Sequence, residues 1–383
     1  MPDPGYDIPA RIGDPEAAIA TPALILDLDQ LEANIDRMRA DARRLGVDLR
    51  AHAKMHKSAD IARLQMTRGG AAGVCCQKLS EAEALIRAGI TDILLTNELV
   101  GAARFARLVR LAQSARIAAC ADHPVQVAQA SQAVIEARAA GAPDDLELEL
   151  LVEMDCGGGR CGTPDTAATL ALAQTIADSP GLRFGGLHSY YGSAQHVADP
   201  AERDRLLALS IARTAEARDA ILAAGLPCPR ITGAGTGSYE TEGASGVYTE
   251  IQPGSYAVMD ADYNRIRRAD GSPPGGFGQA LFVLATVIST PVPGRAVCDA
   301  GLKALAVDSG PPVAHGVPGV SVRAVSDEHC TLDDPEGRLQ LGDMIRLIPG
   351  HCDPTCNLHD WYAGLRGGRV EALWPVTARG KVF

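Results

Sequence analysis

Eight short apolar runs follow one another between residues 47 and 257, most of them separated by alanine-rich stretches of helical period. They are "VDLRAHAK" (47–54), "AAGVCC" (71–76), "DILLT" (92–96), "RIAACA" (116–121), "LELELLVEMD" (146–155), "LRFGGLHSY" (182–190), "RITGAGT" (230–236) and "VYTEIQPGSYA" (247–257). A strand joined to the next strand through a helix returns to pair in parallel, and eight such units close into a (β/α)8 barrel. A doubly wound open sheet would need a glycine-rich phosphate loop after its first strand. The residues in that place are "AKMHKS". The last connection, "GSYETEGASG", reads as a loop. Upstream, "TPALILDLDQLEANIDRMRADARRLG" reads as one more strand, then a helix with Leu31, Ile35 and Met38 on one face. After residue 270 the texture changes to short strands with Gly and Pro turns and no clear helix. The expected layout is an N-terminal segment (1–20) lying on the β-domain, a barrel (21–265) and a β-rich C-terminal domain (266–383).

Net charge narrows the partners. At −11 the field of the whole chain disfavours nucleic acid and anionic membranes, so the basic stretch "RAHAKMHKS" (50–58) is a poor phosphate-backbone patch. The first residues lack a basic start followed by an apolar run, and no stretch approaches the roughly 20 apolar residues of a membrane span. The ten cysteines form no regular framework and several lie inside apolar runs, which suits reduced thiols and a cytoplasmic location.

Barrel enzymes place their chemistry at the C-terminal ends of the strands. Reading those ends in turn gives Lys54, Gln77, Asn97, then Arg160 in "CGGGRCG", then His188, Tyr190 and Tyr191. The last two barrel strands run into "GAGTGS" (233–238) and "QPGSY" (252–256). Glycines admit close approach of backbone N–H groups to a phosphate, and Thr236 and Ser255 add hydroxyl donors. A phosphate site facing a strand-borne lysine points to pyridoxal phosphate, whose aldehyde needs an amine and whose phosphate needs an anchor. Lys54 is the favoured amine, with His56 and Lys57 facing solvent or standing behind it. His52 suits a structural role as well as a catalytic one.

A second constellation is "PGHCDPTCNLHDW" (349–361). Cys352 and Cys356 lack the second cysteine pair that a zinc ribbon needs. His351 and Asp353, on alternate residues of an extended segment, would point the same way. One imidazole and one carboxylate suit Mn²⁺, Mg²⁺ or Co²⁺ better than structural zinc, the plain alternative being a loop histidine. "SDEHC" (326–330) is an acid–histidine cluster that could support those ligands.

With these residues in view, the chain resembles the D-threonine aldolase family, a fold-type III pyridoxal-phosphate group related to alanine racemase. "RAHAKMHKS", "GVCCQKLSEAE", "GGGRCG", "GAGTGS", "PGSYAVMDADY" and "GHCDPTCNLHD" carry the resemblance in family order, from about residue 20 to the end. "GHCDPTCNLHDWY" and "WPVTARGK" are most similar to members acting on 3-hydroxy-D-aspartate. The resemblance implies that Lys54 forms the Schiff base and that Gln77, Tyr190, Thr236, Gly254, Ser255 and Tyr263 surround the cofactor. It also implies that His351 and Asp353 hold the metal and that the enzyme is a homodimer. Dehydratase relatives carry a cysteine in place of Asp353 and bind zinc, so this aspartate favours the aldolase branch. The implied reaction is cleavage of D-3-hydroxyaspartate to glycine and glyoxylate. Hydroxide at the cation or His196 would take the β-hydroxyl proton, and Arg160 would read the distal carboxylate or tether its own loop. A broad D-threonine aldolase and a D-serine or hydroxyaspartate dehydratase are the alternatives within the family. A non-catalytic pyridoxal-phosphate carrier would lack the β-rich domain.

Overall fold

The computed structural model describes residues 3–383. Its eight barrel strands follow a first strand, β1 (Ala23–Asp27), and helix α1 (Leu28–Leu45). They are β2 (Asp48–His52), β3 (Gly73–Cys76), β4 (Asp92–Glu98), β5 (Arg116–Ala121), β6 (Leu148–Glu153), β7 (Leu182–Ser189), β8 (Ile231–Gly233) and β9 (Glu250–Ile251). All neighbours run parallel, and Asp48 and Leu49 of β2 pair with Glu250 and Ile251 of β9 to close the ring. Between the strands lie α2 (Ala59–Thr67), α3 (Leu79–Arg87), α4 (Ala102–Ala112), α5 (Pro124–Ala139), α6 (Thr166–Asp178), α7 (Pro200–Ala223) and α8 (Tyr239–Gly243). The expected (β/α)8 barrel is therefore present, and the eight runs read from the sequence are its strands. The stretch expected as a loop holds the short helix α8.

Local sequence sets the helix limits. Asp27 caps α1 by accepting the Gln30 N–H, and Gly46 ends it in the left-handed conformation at φ 71°. Leu31, Ile35 and Met38 are fully buried, as their spacing requires. Asp199 caps α7, whose first residue is Pro200, a position where the missing N–H costs nothing.

A second sheet holds β10 (Leu281–Ser289), β11 (Arg295–Cys298), β12 (Val313–His315), β13 (Ser321–Val325), β14 (Cys330–Asp333) and β15 (Met344–Ile348). After the short helix α9 (Cys352–Cys356) come β16 (Trp361–Arg366) and β17 (Arg369–Pro375). Here the sequence-based boundary at residue 21 needs correction. β1 is not a barrel element: it pairs with β10 and β16 and stands in the middle of the sheet order β13-β14-β11-β10-β1-β16-β17. Its strand–helix texture is that of a barrel unit, and only long-range pairing tells the two apart. The N-terminal segment lies along the same sheet through Gly13 N–H to the Val370 carbonyl and through Glu16 with Arg346 at 2.6 Å.

The barrel axis is polar. Arg50 reaches Glu250 at 2.9 Å, Glu250 accepts from Thr232 at 2.8 Å, and Thr232 accepts from the Gln252 amide at 2.8 Å. Gln252 then meets His188 at 3.2 Å. Strand contacts at one point demand glycine. Gly186 of β7 has φ 118°, and a Cβ there would fall 1.9 Å from the Arg230 carbonyl oxygen. Gly186→Ala is expected to destabilise the fold by at least about 2 kcal/mol, read from urea denaturation. An unchanged midpoint would show that β7 and β8 can part to admit the methyl group.

Candidate functional site

Lys54 lies in the turn just past β2, two residues beyond the strand. Its ammonium stands 3.6 Å from an Asp353 carboxylate oxygen. Burial opposes the charge on Lys54 most strongly, but Asp353, together with Tyr190 and Glu81, outweighs it and the pKa is raised. Of the two places expected for the next basic residues, in solvent or behind Lys54, burial excludes the first. His56 and Lys57 do not face solvent; both are buried. The Lys57 ammonium sits 3.5 Å from Glu81 and also reaches the Ala378 and Lys381 carbonyls. His56 shares a hydrogen bond with Gln65 at 3.1 Å, and burial pulls its pKa down to about 4. The polar pattern suggested exposure, whereas α3 and the C-terminal segment supply partners from far along the chain.

Around Lys54 the barrel mouth is tightly knit. Gln77 donates to Thr96 at 3.0 Å and lies 3.2 Å from the imidazole of His52, which burial keeps neutral. Thr236 accepts the Tyr256 N–H at 3.0 Å and so fastens the two glycine-rich loops together. A Cβ on Gly254 would lie 2.8 Å from the His52 carbonyl oxygen, so this loop rests directly on the strand end that leads to Lys54. Ser255 follows, buried, in a single 3-10 turn. One residue absent from the sequence-based set organises this region. Gln195 is fully buried, donates to the Tyr190 hydroxyl at 2.9 Å and accepts from Gly237 N–H at 3.2 Å and the Tyr263 hydroxyl at 3.4 Å. Its only signal in the sequence is its place beside His196.

Arg160 stands over the Tyr190 ring at 5.8 Å and 3.7 Å from Glu153. Glu153 also faces His188, 3.1 Å away, in a charge contact without the alignment of a hydrogen bond. Burial works against both charges, yet each partner favours the other's: the His188 pKa is raised and that of Glu153 lowered. Cys120 joins these two within 4.8 Å, a donor set of metal-binding type among the described residues. Burial raises the Cys120 thiol well above its ordinary value, and the carboxylate–imidazolium contact already balances charge there. Beside them burial and the charge of Glu153 push Glu98 up to about 7.

His351 and Asp353 come together by another route than the extended segment expected. His351 is extended (φ −142°), but Asp353 lies in the first turn of α9, which sequence texture did not show. His351 Nε2 and Asp353 Oδ1 are 3.8 Å apart. That is too far for a hydrogen bond, and two bonds of about 2.1 Å around one divalent cation span it. Behind His351 stands Asp308, its Oδ2 2.7 Å from Nδ1. Burial lowers the His351 pKa, but Asp353 and Asp308 outweigh it and raise the value. Asp260 accepts from both Cys352 N–H and Tyr263 N–H at 2.9 Å, fastening this turn to the barrel. The support expected from "SDEHC" is not there: Glu328 pairs with Lys303 at 2.5 Å on the exposed turn between β13 and β14. His196 holds Asp262 through Nδ1 at 2.6 Å and packs on the Tyr263 ring at 5.1 Å.

The residues therefore fit two groups: an anion-anchored carbonyl cofactor between Lys54 and the joined glycine loops, and a cation between His351 and Asp353. Comparisons with known proteins agree with the fold and the order of these parts. Residues 26–262 match the family described as alanine racemase, N-terminal domain, and residues 280–365 match a putative serine dehydratase domain. The chain is 48% identical to the 3-hydroxy-D-aspartate aldolase of Paracoccus denitrificans, over 99% of this chain and 97% of that one. It is 30% identical to the D-threo-3-hydroxyaspartate dehydratase of a Delftia species, over 92% and 96%. Among solved structures, D-threonine aldolase from Filomicrobium marinum superposes with a TM-score of 0.93 at 47% identity, covering 98% of this chain and all of that one. No helix among the described residues is long and apolar enough to cross a membrane.

Proposed function

We propose, from the premise that this chain belongs to the D-threonine aldolase family of fold-type III pyridoxal-phosphate enzymes, that it cleaves D-3-hydroxyaspartate reversibly to glycine and glyoxylate. The observation that carries the reading is the convergence of Lys54, Asp353 and His351 at the barrel mouth, with 3.6 and 3.8 Å between successive groups. An amine and a cation-holding pair so close together can act on adjacent carbons of one small substrate. When bound, pyridoxal phosphate supplies the sink for the electrons of the broken Cα–Cβ bond, and a divalent cation acidifies the β-hydroxyl.

The protein's own groups divide the remaining work. Lys54 binds the cofactor and returns a proton to the glycine carbon. His351 and Asp353 would hold the cation that acidifies the β-hydroxyl. His196, oriented by Asp262, keeps Nε2 free to take the hydroxyl proton. Gln195 fixes Tyr190 and Tyr263 about the cofactor. Lys57 and His56 are buried among their partners, whereas Arg160, although 3.7 Å from Glu153, is 59% exposed and can turn to a distal carboxylate, which is costly to leave unpaired in a closed site. A homodimer is part of the reading. The identity values, 48% to an aldolase against 30% to a dehydratase, favour carbon–carbon cleavage over loss of the hydroxyl.

The test is product analysis with D-3-hydroxyaspartate, D-threonine and D-serine. Glycine and glyoxylate should form from the first, with the highest kcat/KM of the three. Arg160→Ala should lower kcat/KM for hydroxyaspartate by roughly 30- to 1000-fold and for D-threonine much less. A wild-type preference for D-threonine would make this a broad D-threonine aldolase. Oxaloacetate and ammonia as products would make it a dehydratase.

A further inference from the structure

We infer that Asp308 is a positioning residue for the cation, acting through His351; the inference rests on the cation reading above and names the carboxylate that makes that site bind. Asp308 lies 43 residues before His351, on the loop between β11 and β12, and its Oδ2 is 2.7 Å from His351 Nδ1. Nδ1–H donates to that carboxylate. The neutral ring then carries its lone pair on Nε2, the nitrogen that faces Asp353 at 3.8 Å. A carboxylate behind an imidazole ligand fixes tautomer and ring orientation and raises the basicity of the ligating nitrogen.

The loop that carries Asp308 is held in place on three sides. Gly310 lies against Gly350 so closely that a Cβ on Gly350 would fall 2.0 Å from the Gly310 carbonyl oxygen. The Thr355 hydroxyl accepts Ala306 N–H at 3.1 Å and donates to the His351 carbonyl at 2.7 Å. Arg265 of the barrel domain donates to the Ser309 carbonyl at 2.8 Å. The first two join the Asp308 loop to the turn bearing His351, and the third joins the loop to the barrel. An exposed aspartate held this way has a local purpose beyond solubility. The Asp308 side chain is 55% exposed, so replacing it buries no unpaired charge and opens no cavity.

The experiment is Mn²⁺ titration of the metal-stripped, pyridoxal-phosphate-loaded enzyme by calorimetry, with kcat followed as Mn²⁺ is raised. Wild type should show one saturable site per chain, removed by Asp353→Ala. Asp308→Ala should retain the visible absorption and the melting temperature, bind Mn²⁺ about 10- to 100-fold more weakly, and recover at least half the wild-type kcat at saturating Mn²⁺. Binding within twofold of wild type would overturn the role of Asp308 while leaving the cation site standing. Unweakened binding with kcat still depressed at saturating Mn²⁺ would also overturn it, because the residue would then act on substrate. A wild-type protein without a saturable Mn²⁺ site that depends on Asp353 would overturn both readings together.

Discussion

Lys54→Ala is expected to abolish the visible absorption of the holoenzyme and to lower kcat by at least about 10³-fold. No neighbouring amine can substitute. Lys57 is buried and paired with Glu81, and two backbone carbonyls occupy its other hydrogens. Lys78 lies exposed at the start of α3. Lys54 alone of the three stands beside Asp353 and next to the joined glycine loops. Borohydride reduction followed by peptide mapping should place the pyridoxyl label on Lys54. A label on Lys57 or Lys78 would refute the assignment.

Removal of the divalent cation should stop turnover without bleaching the protein. The two sets of ligands belong to different parts of the molecule: the glycine loops to the barrel, His351 and Asp353 to the segment between β15 and β16. Each set can therefore empty alone. Chelation should reduce kcat by about 10²-fold or more, the scale of Lewis-acid assistance at a hydroxyl, and Mn²⁺, Mg²⁺ or Co²⁺ should restore it. Asp353→Ala should behave like the chelated enzyme and should not respond to added metal. Full turnover by protein shown to be free of metal would remove His351 and Asp353 from the chemistry.

Much of this site could be read in the sequence because barrel topology converts chain position into place. Lys54, Gln77, Tyr190, Thr236 and Gly254 each follow a recognisable strand, and strand ends share one rim. What escaped was pairing between distant segments. Nothing in "AVDSGPP" marks Asp308 as the neighbour of a histidine in "PGHCDP". Asp260 looks like one acid among several in "MDADY" until its two backbone donors are seen. The burial of His56 and Lys57 was hidden for the same reason, since the residues that neutralise and cover them come from α2, α3 and the last turn of the chain. Local period shows which residues an element turns inward. It does not show what those residues meet.

The place of β1 has a consequence for synthesis. Its sheet partners Leu281–Leu284 and Tyr362–Leu365 come long after it in the chain. At ribosomal speeds of roughly 5–20 residues per second, the more than 250 residues between them take on the order of 10 to 50 s to emerge. Throughout that interval Leu24, Ile25 and Leu26 have no pairing strand, although all three end fully buried. The barrel is in effect spliced into the sheet between β1 and β10, so an amino-terminal fragment ending at the barrel carries an apolar strand without either of its sheet partners. Such fragments should aggregate or recruit chaperones, and a chain stalled after residue 265 should be far more protease-sensitive at residues 23–27 than the finished enzyme.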